Sequence, residues 1–513
     1  MLLVLCVFMA AAFIPGCTGG VEYRYQSDDP APPPPPPPPP PGPTGTPTFE
    51  TGKDLVEFVT GRTNIFNISL WGSDNIYPYA NSSAGTYTGQ DVYWVESVGN
   101  PNGRVAVLSN SRVGDDVVTG LNVPQAFALH RRNGTNYLFV AESGGGSGGS
   151  LYRYDLSTNP PTATTLASGL QGEVYYMALD NPESLDPWLY YAVDAGGTSS
   201  VLARVVSHST NPVPQVISTS LSNVHHVYVY SQFIPQGAVD PDTGDDVSVQ
   251  PNASDFVFVT EDLGTPNGKV LMFNVSNWNG TAPLTPVEIN SGNGQNRPAK
   301  ITFVPDIKEY LVNGESRYGH TDNTGGTIFW TNYASNTGEV WGARLEINGS
   351  GTNMEVTDGP KKIAESLRMS YDIIGPDDFR YLFTTFNGNT PTHVSGNKYD
   401  VWADYVANGN ELFNRLYVSR NEARGDGGNY YVIDLNAYND SPLTPGNGVS
   451  NFITENAQFP LNGKMQVYLY DPDDGSIPQA YRMDLFFTGM ERDTGSNNTY
   501  IYIFKNKFSP PGS

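Results

Sequence analysis

From about Phe49 onward the chain alternates apolar runs of four to seven residues, rich in Val, Tyr, Phe and Ile, with clusters of Gly, Asn, Asp and Pro. Runs this short, with no long stretch of helical period between them, predict strands joined by turns. They recur in a fixed order: an apolar run closing on an acid or amide, a turn carrying Gly or Asn, then a second apolar run. Tyr137–Glu142 is answered by Leu151–Leu156, and Phe256–Asp262 by Lys269–Val275. Further copies begin at Val92, Leu189, Ile328 and Leu416, with Tyr381–Thr384 and Gln466–Tyr470 as weaker ones.

A third strand precedes several hairpins: Pro124–Leu129 stands before Tyr137, and Val174–Leu179 before Leu189. Starts at 92, 137, 189, 256 and 328 lie 45, 52, 67 and 72 residues apart, so loops such as Gln236–Ser254 read as insertions. A hairpin-bearing unit of this size describes the four-stranded blade of a β-propeller. The expected fold is therefore all-β: a β-propeller of six to eight four-stranded blades over residues 49–513, behind a disordered proline-rich tether. The order Pro124-Gln125-Ala126-Phe127-Ala128-Leu129, then Leu138-Phe139-Val140-Ala141-Glu142, then Leu151-Tyr152-Arg153-Tyr154-Asp155-Leu156, resembles six-bladed propellers of the NHL and gluconolactonase-like type. The resemblance runs from about Gln90 to Leu435 and rests on blade patterns, not on catalytic motifs. The run Tyr500–Phe504 is expected to close the ring by completing the first blade, which would remove exposed edges.

The first 48 residues follow other rules. Leu2–Ile14 is apolar but too short to span a bilayer comfortably, and it leads into Ile14-Pro15-Gly16-Cys17. That ending resembles the lipobox of bacterial lipoproteins, in which the cysteine is lipidated and becomes the first residue of the mature protein. Cys17 is the matching position, although Met1-Leu2-Leu3 lacks the family's basic residues. Residues 1–17 thus read as a lipoprotein signal peptide, and Thr18 implies, by the same resemblance, transfer onward to the outer membrane, on its periplasmic or cell-surface face. Residues 18–48 are acidic and then proline-rich. The unbroken run Pro32–Pro41 holds polyproline II and reaches roughly 31 Å at about 3.1 Å per residue. It reads as a stalk rather than as a ligand for a proline-binding module.

Charge narrows the partners. The chain carries 52 Asp and Glu against 28 Lys and Arg, a formal net charge of -24. No nucleic-acid or anionic-surface footprint fits such a balance, which leaves divalent cations, cationic partners or neutral glycans beside the membrane reached through the lipid. The two cysteines, Cys6 and Cys17, both belong to the leader, so disulfides, thiolate metal sites and a cysteine nucleophile are excluded from the mature domain.

Candidate chemistry is sparse. Glu96, Glu142, Asp194, Glu261 and Glu422 recur where a strand meets its turn, and such acids commonly accept backbone N–H bonds. One group copied by blade points to architecture, because a catalytic site needs different groups converging. Two Asp-rich loops are the better candidates: Asp240, Asp242 and Asp245 around Gly244, and Asp471, Asp473 and Asp474 before Gly475. Several carboxylates in one tight loop suit Ca²⁺, although neither loop has the spacing of an EF-hand. Asp474-Gly475-Ser476-Ile477-Pro478 resembles a short signature of soluble quinoprotein sugar dehydrogenases, which are six-bladed propellers; no second motif assigns that family's histidine or arginines here. His225 and His226 are neighbours on one predicted strand, so alternation sends them to opposite faces. His130 is isolated, and His320 lies near Asp322 in a Gly- and Asn-rich loop. No nucleophile elbow, Walker loop, zinc-protease or haem motif is present. Arg424-Gly425-Asp426 falls at a predicted hairpin turn, and Asn133 and Asn252 head Asn-x-Ser/Thr triplets in an Asn-rich surface.

The sequence therefore favours a lipid-anchored cell-envelope propeller that acts as a binding or scaffold module for a protein or glycan ligand. The rival is a calcium-dependent enzyme of the sugar lactonase or quinoprotein sugar dehydrogenase type. Convergence of His320, an acidic side chain and Asp240 or Asp473 at one mouth of the axis would favour the rival.

Overall fold

The computed structural model describes residues 55–71, 91–98, 102–109, 112–143, 148–180, 184–195, 200–247, 255–264, 266–276, 278–290, 297–321, 325–333, 337–347, 354–382, 384–387, 390–393, 399–400, 414–420, 429–453, 460–470, 480–490 and 498–507. All belong to the unit Gly42–Ser513. Cys17 and the proline run lie outside the described residues.

Each apolar run is a strand, and the runs are continuous rather than alternating because both faces of a blade are buried. In Asp255–Glu261 every residue is buried. Phe256 and Phe258 face one way, packing with Phe303, Ile328 and Trp330 of the following blade. Val257 and Val259 face the other way, against Tyr190, Ala192 and Leu202 of the preceding blade. The same stacking joins the other neighbours from the first blade to the sixth, as with Phe139 and Leu151 against Leu189 and Val205. Each such side chain contributes about 1.5–3 kcal/mol on leaving water.

Among the described residues the strands form seven blades around one axis. The innermost strands, in chain order, are Ile65–Trp71, Pro124–Arg132, Met177–Leu179, Val224–Ser231, Pro298–Pro305, Ile373–Ile374 and Leu461–Tyr470. Each contacts the next, and the last returns to the first, so the ring is closed. The chain is a β-propeller, and its seven blades are one more than in the six-bladed proteins it resembles.

Closure works differently from the sequence expectation. Asn498–Lys507 does not join the first blade; it is the third strand of the seventh, and Leu55–Thr63 supplies that blade's outermost strand. The pairing is antiparallel, with Leu55 opposite Phe504 and Thr63 opposite Asn498. The strands nearest the two ends of the domain thus share one sheet, which ties the ring shut without a covalent link.

Blades four, five and six carry long insertions between their first and second strands. These are residues 232–254, residues 306–325 with the hairpin Ile307–Val312 and Glu315–His320, and residues 375–414. In an up-and-down blade these connections all leave at the same end of the ring, so the repeat itself gathers the unrepeated segments at one mouth.

Candidate functional site in the central channel

The seven inner strands surround a cavity of about 440 Å³. Its lining differs from blade to blade. Asn67 and Ser69 come from the first, Tyr176 from the third, His226 and Tyr228 from the fourth, Lys300 from the fifth, Asp377 and Asp378 from the sixth, and Asn462 and Lys464 from the seventh.

Lys300 is the first fixed point. Its ammonium pairs with the carboxylate of Asp372, and both side chains are buried, at 10% and 1% exposure. The second oxygen of Asp372 accepts from the Tyr430 hydroxyl at 2.7 Å and from the Gly463 N–H. Glycine is required at 463, because a Cβ there would lie 2.5 Å from the Tyr430 hydroxyl and 3.0 Å from Asp372 Oδ2. One aspartate thereby joins blades five, six and seven.

Lys464 stands one residue further along, and among the described residues its ammonium has no hydrogen-bond or ion-pair partner. Burial, reinforced by the Lys300 charge, lowers its pKa from 10.5 to about 8, against the smaller opposing pull of Asp378 and Asp372. The pKa of Asp378 is pushed up by burial, although its Oδ2 accepts from Thr302 at 2.6 Å and from the Gly375 N–H at 3.0 Å. His226 receives the Ile301 N–H on Nδ1 at 3.3 Å. Burial and the Lys300 charge hold its pKa well below the usual range, so the ring is neutral and carries its proton on Nε2.

The insertions build the opposite end. Val239 exchanges backbone hydrogen bonds with Leu311 at 2.8 and 2.9 Å, which lays the fourth-blade insertion on the fifth-blade hairpin. His320 is buried: its Nδ1 accepts the Phe233 N–H at 3.0 Å and its Nε2 donates to Tyr399 at 2.5 Å. Tyr399 in turn donates to Asp377 at 3.2 Å, and Tyr228 donates to the other oxygen of Asp377 at 2.9 Å. This chain runs from the insertion to the cavity wall and fixes Asp377 in place.

Of the residues singled out in the sequence, His320 is thus linked to an acid, Asp377, through Tyr399. Asp240 is not in contact with it. Its carboxylate accepts from the Asp242 N–H at 2.9 Å and from Lys308 at 2.8 Å, and the same ammonium lies 3.5 Å from Asp242. Lys308 occupies the position a hard cation would take on that loop, while Asp245 is exposed and does not reach it. Among the described residues no three His, Cys, Asp or Glu side chains gather as a metal-binding group. Asp322, Asp471, Asp473, Asp474 and Glu422 lie outside the described residues.

Glu142, Asp194 and Glu261 act within their blades, and Glu96 also reaches Arg62 of the seventh. Glu142 accepts the Asn122 N–H at 3.2 Å and Glu261 the Ser222 N–H at 2.6 Å, each pinning the segment that leads into the inner strand. Glu96 binds Arg104 at 2.7 Å and Arg62 at 3.3 Å, and Asp194 accepts from Ser200 at 2.8 Å. His225 and His226 do part company, His225 turning to Asp262 at 3.6 Å. His130 is not isolated in space: it donates from Nε2 to the Ser184 carbonyl and accepts on Nδ1 from His208 at 2.7 Å.

Sequence reasoning passed over Lys300, Lys464, Asp372, Asp377 and Tyr399. A signal existed for the lysines: each sits near the start of an apolar run that fills an inner strand, where a charge needs a partner or a purpose.

No protein-family profile and no curated protein matches the chain. Solved structures match it only at low identity and low TM-score. A candidate 6-phosphogluconolactonase from Bacteroides uniformis is 11% identical over 84% of this chain and 93% of its own, with a TM-score of 0.35. The Dos1 propeller is 10% identical over 86% of this chain and 77% of its own, with a TM-score of 0.35. An endo-arabinase from Bacteroides thetaiotaomicron is 12% identical over 50% of this chain and 95% of its own, with a TM-score of 0.25. Similarity of this order transfers no residue role to this chain.

Proposed function

We propose that the chain is an envelope binding module, tethered through a lipid on Cys17, whose central channel takes a sugar-sized polar ligand. The observation that supports this reading is the channel itself: a cavity of about 440 Å³ lined by unlike polar side chains from six blades and by apolar ones from the second. That volume falls in the range of small-molecule sites and suits one end of a glycan better than a protein surface. Hydroxyl, amide, imidazole and ammonium groups around it offer the mixed donors and acceptors that a polyhydroxylated ligand needs. The chemistry of His320 supports binding over catalysis, because both its ring nitrogens are engaged and it has no free lone pair to act as a base.

The test is calorimetric titration of neutral and acidic mono- and disaccharides into the full chain and into Asn67→Trp, which fills the cavity. Saturable binding that the tryptophan abolishes is expected. No binding, or binding that survives the substitution, overturns the reading. The anchor is tested separately: Cys17→Ala will release the protein from the membrane fraction and end incorporation of labelled palmitate.

A further inference from the structure

Lys464 projects a cation into a cavity that gives it nothing to bind. Every other charged group of that wall is engaged. Lys300 holds Asp372, Asp377 is bonded by Tyr228 and Tyr399, and Asp378 by Thr302 and the Gly375 N–H. An ammonium left over in so well-satisfied a wall is kept for something that enters.

The groups around it make its proton easier to lose than an ordinary lysine's. Lys300 is a second positive charge fixed nearby, neutral His226 offers no negative charge, and burial takes water from the half-buried side chain; Asp378 and Asp372 oppose these effects more weakly. Confinement of a lysine beside another cation, away from water, is how an amine is made nucleophilic near neutral pH.

We propose that Lys464 is a carbonyl-capturing amine, which forms a reversible imine with an aldehyde or ketone, such as the open-chain form of a reducing sugar, that enters the channel. Lys464 Nζ adds to the carbonyl carbon; the C=O electron pair moves to oxygen, which takes a proton. The carbinolamine then loses that oxygen as water while the nitrogen lone pair closes the C=N bond. Amine and carbonyl become imine and water, with no oxidant or reductant consumed. This deepens the channel reading, since it names what one class of channel ligand would do there.

The experiment is reductive trapping. The full chain is incubated with glyceraldehyde and cyanoborohydride from pH 6 to pH 10, and modified peptides are mapped by mass spectrometry against the ion-paired surface lysines Lys269 and Lys361, whose side chains are 40% and 43% exposed. Expected is modification of Lys464 at least about tenfold faster than of those two at pH 7, following a titration centred near pH 8, and its loss in Lys464→Arg, whose melting temperature is unchanged. Labelling of Lys464 at the rate of the surface lysines, or none at all, overturns the proposal. Methyl glycosides, which have no free carbonyl, separate the two readings: if they bind the channel while Lys464 stays unlabelled, the binding module stands and the imine falls. If neither they nor reducing sugars bind, the channel reading falls by itself.

Discussion

Asp372→Asn removes one charge and almost no volume, and it should be among the most costly single changes in the protein. Asp372 is the buried counter-ion of Lys300 and the acceptor for Tyr430 and the Gly463 N–H. Breaking a buried pair from one side costs about 3–5 kcal/mol, because the remaining charge is left without compensation. An asparagine has a single acceptor oxygen, so its amide nitrogen must also face a donor, adding about 1–3 kcal/mol. A loss of about 4–8 kcal/mol is expected from the two together, read from urea unfolding followed by tryptophan fluorescence. Pairing it with Lys300→Met removes the stranded charge, and the double variant should recover at least about 2 kcal/mol of the single loss. A cost for Asp372→Asn below about 1 kcal/mol, or strict additivity of the two changes, would refute the hub.

Three further outcomes follow from the fold. Val123 holds φ at 47° just before the second inner strand, where the corresponding positions in blades one, four and seven are Asn64, Asn223 and Asn462 with similar φ; Val123→Asn relieves a β-branched residue there and should stabilise by about 1 kcal/mol in the same urea assay. Lys464 has a folded pKa of about 8 against 10.5 when free, so the unfolded chain binds more protons between these values and stability rises with pH across that window; Lys464→Met should flatten the rise and stabilise the protein at pH 7. The His208 pKa is lowered from 6.5 to about 3, chiefly by burial and then by His130, so stability falls as pH drops from 6.5 towards 3; His208→Phe should lessen that fall in thermal melts.

Calcium removal addresses the Asp-rich loops. With Lys308 already on Asp240 and Asp242, a chelator is expected to lower the melting temperature only through the Asp471, Asp473 and Asp474 loop. The drop should therefore vanish in Asp473→Asn; a drop that persists there would place the ion elsewhere.

The blades were legible because burial on both faces forces runs such as Phe256-Val257-Phe258-Val259 to be apolar throughout, and each run ends at an acid or amide that pins its turn. The seventh blade was harder to read. Its strands are distributed between residues 55–63 and 461–507, and no local pattern says that Leu55 pairs with Phe504. The insertion around Val239 and the segment around His320 pack together, with Tyr399, at one end of the channel, while the Asp471 loop lies outside the described residues. What could not be read was the wall of the channel. Lys300, Asp372 and Lys464 are far apart in sequence, and the blades contribute unlike residues, so no spacing links them. The pairing of His130 with His208 could not be read for the same reason, since the two meet only across adjacent blades.

The central claim is that the channel, rather than the blade rims or loops, receives the ligand. A crystal structure of the protein soaked with the tightest-binding sugar of the titration panel tests it most directly. The account predicts ligand density inside the ring, within hydrogen-bonding distance of Lys464 and His226. Density confined to the outer strands or the insertions, with the channel holding only water, would contradict it.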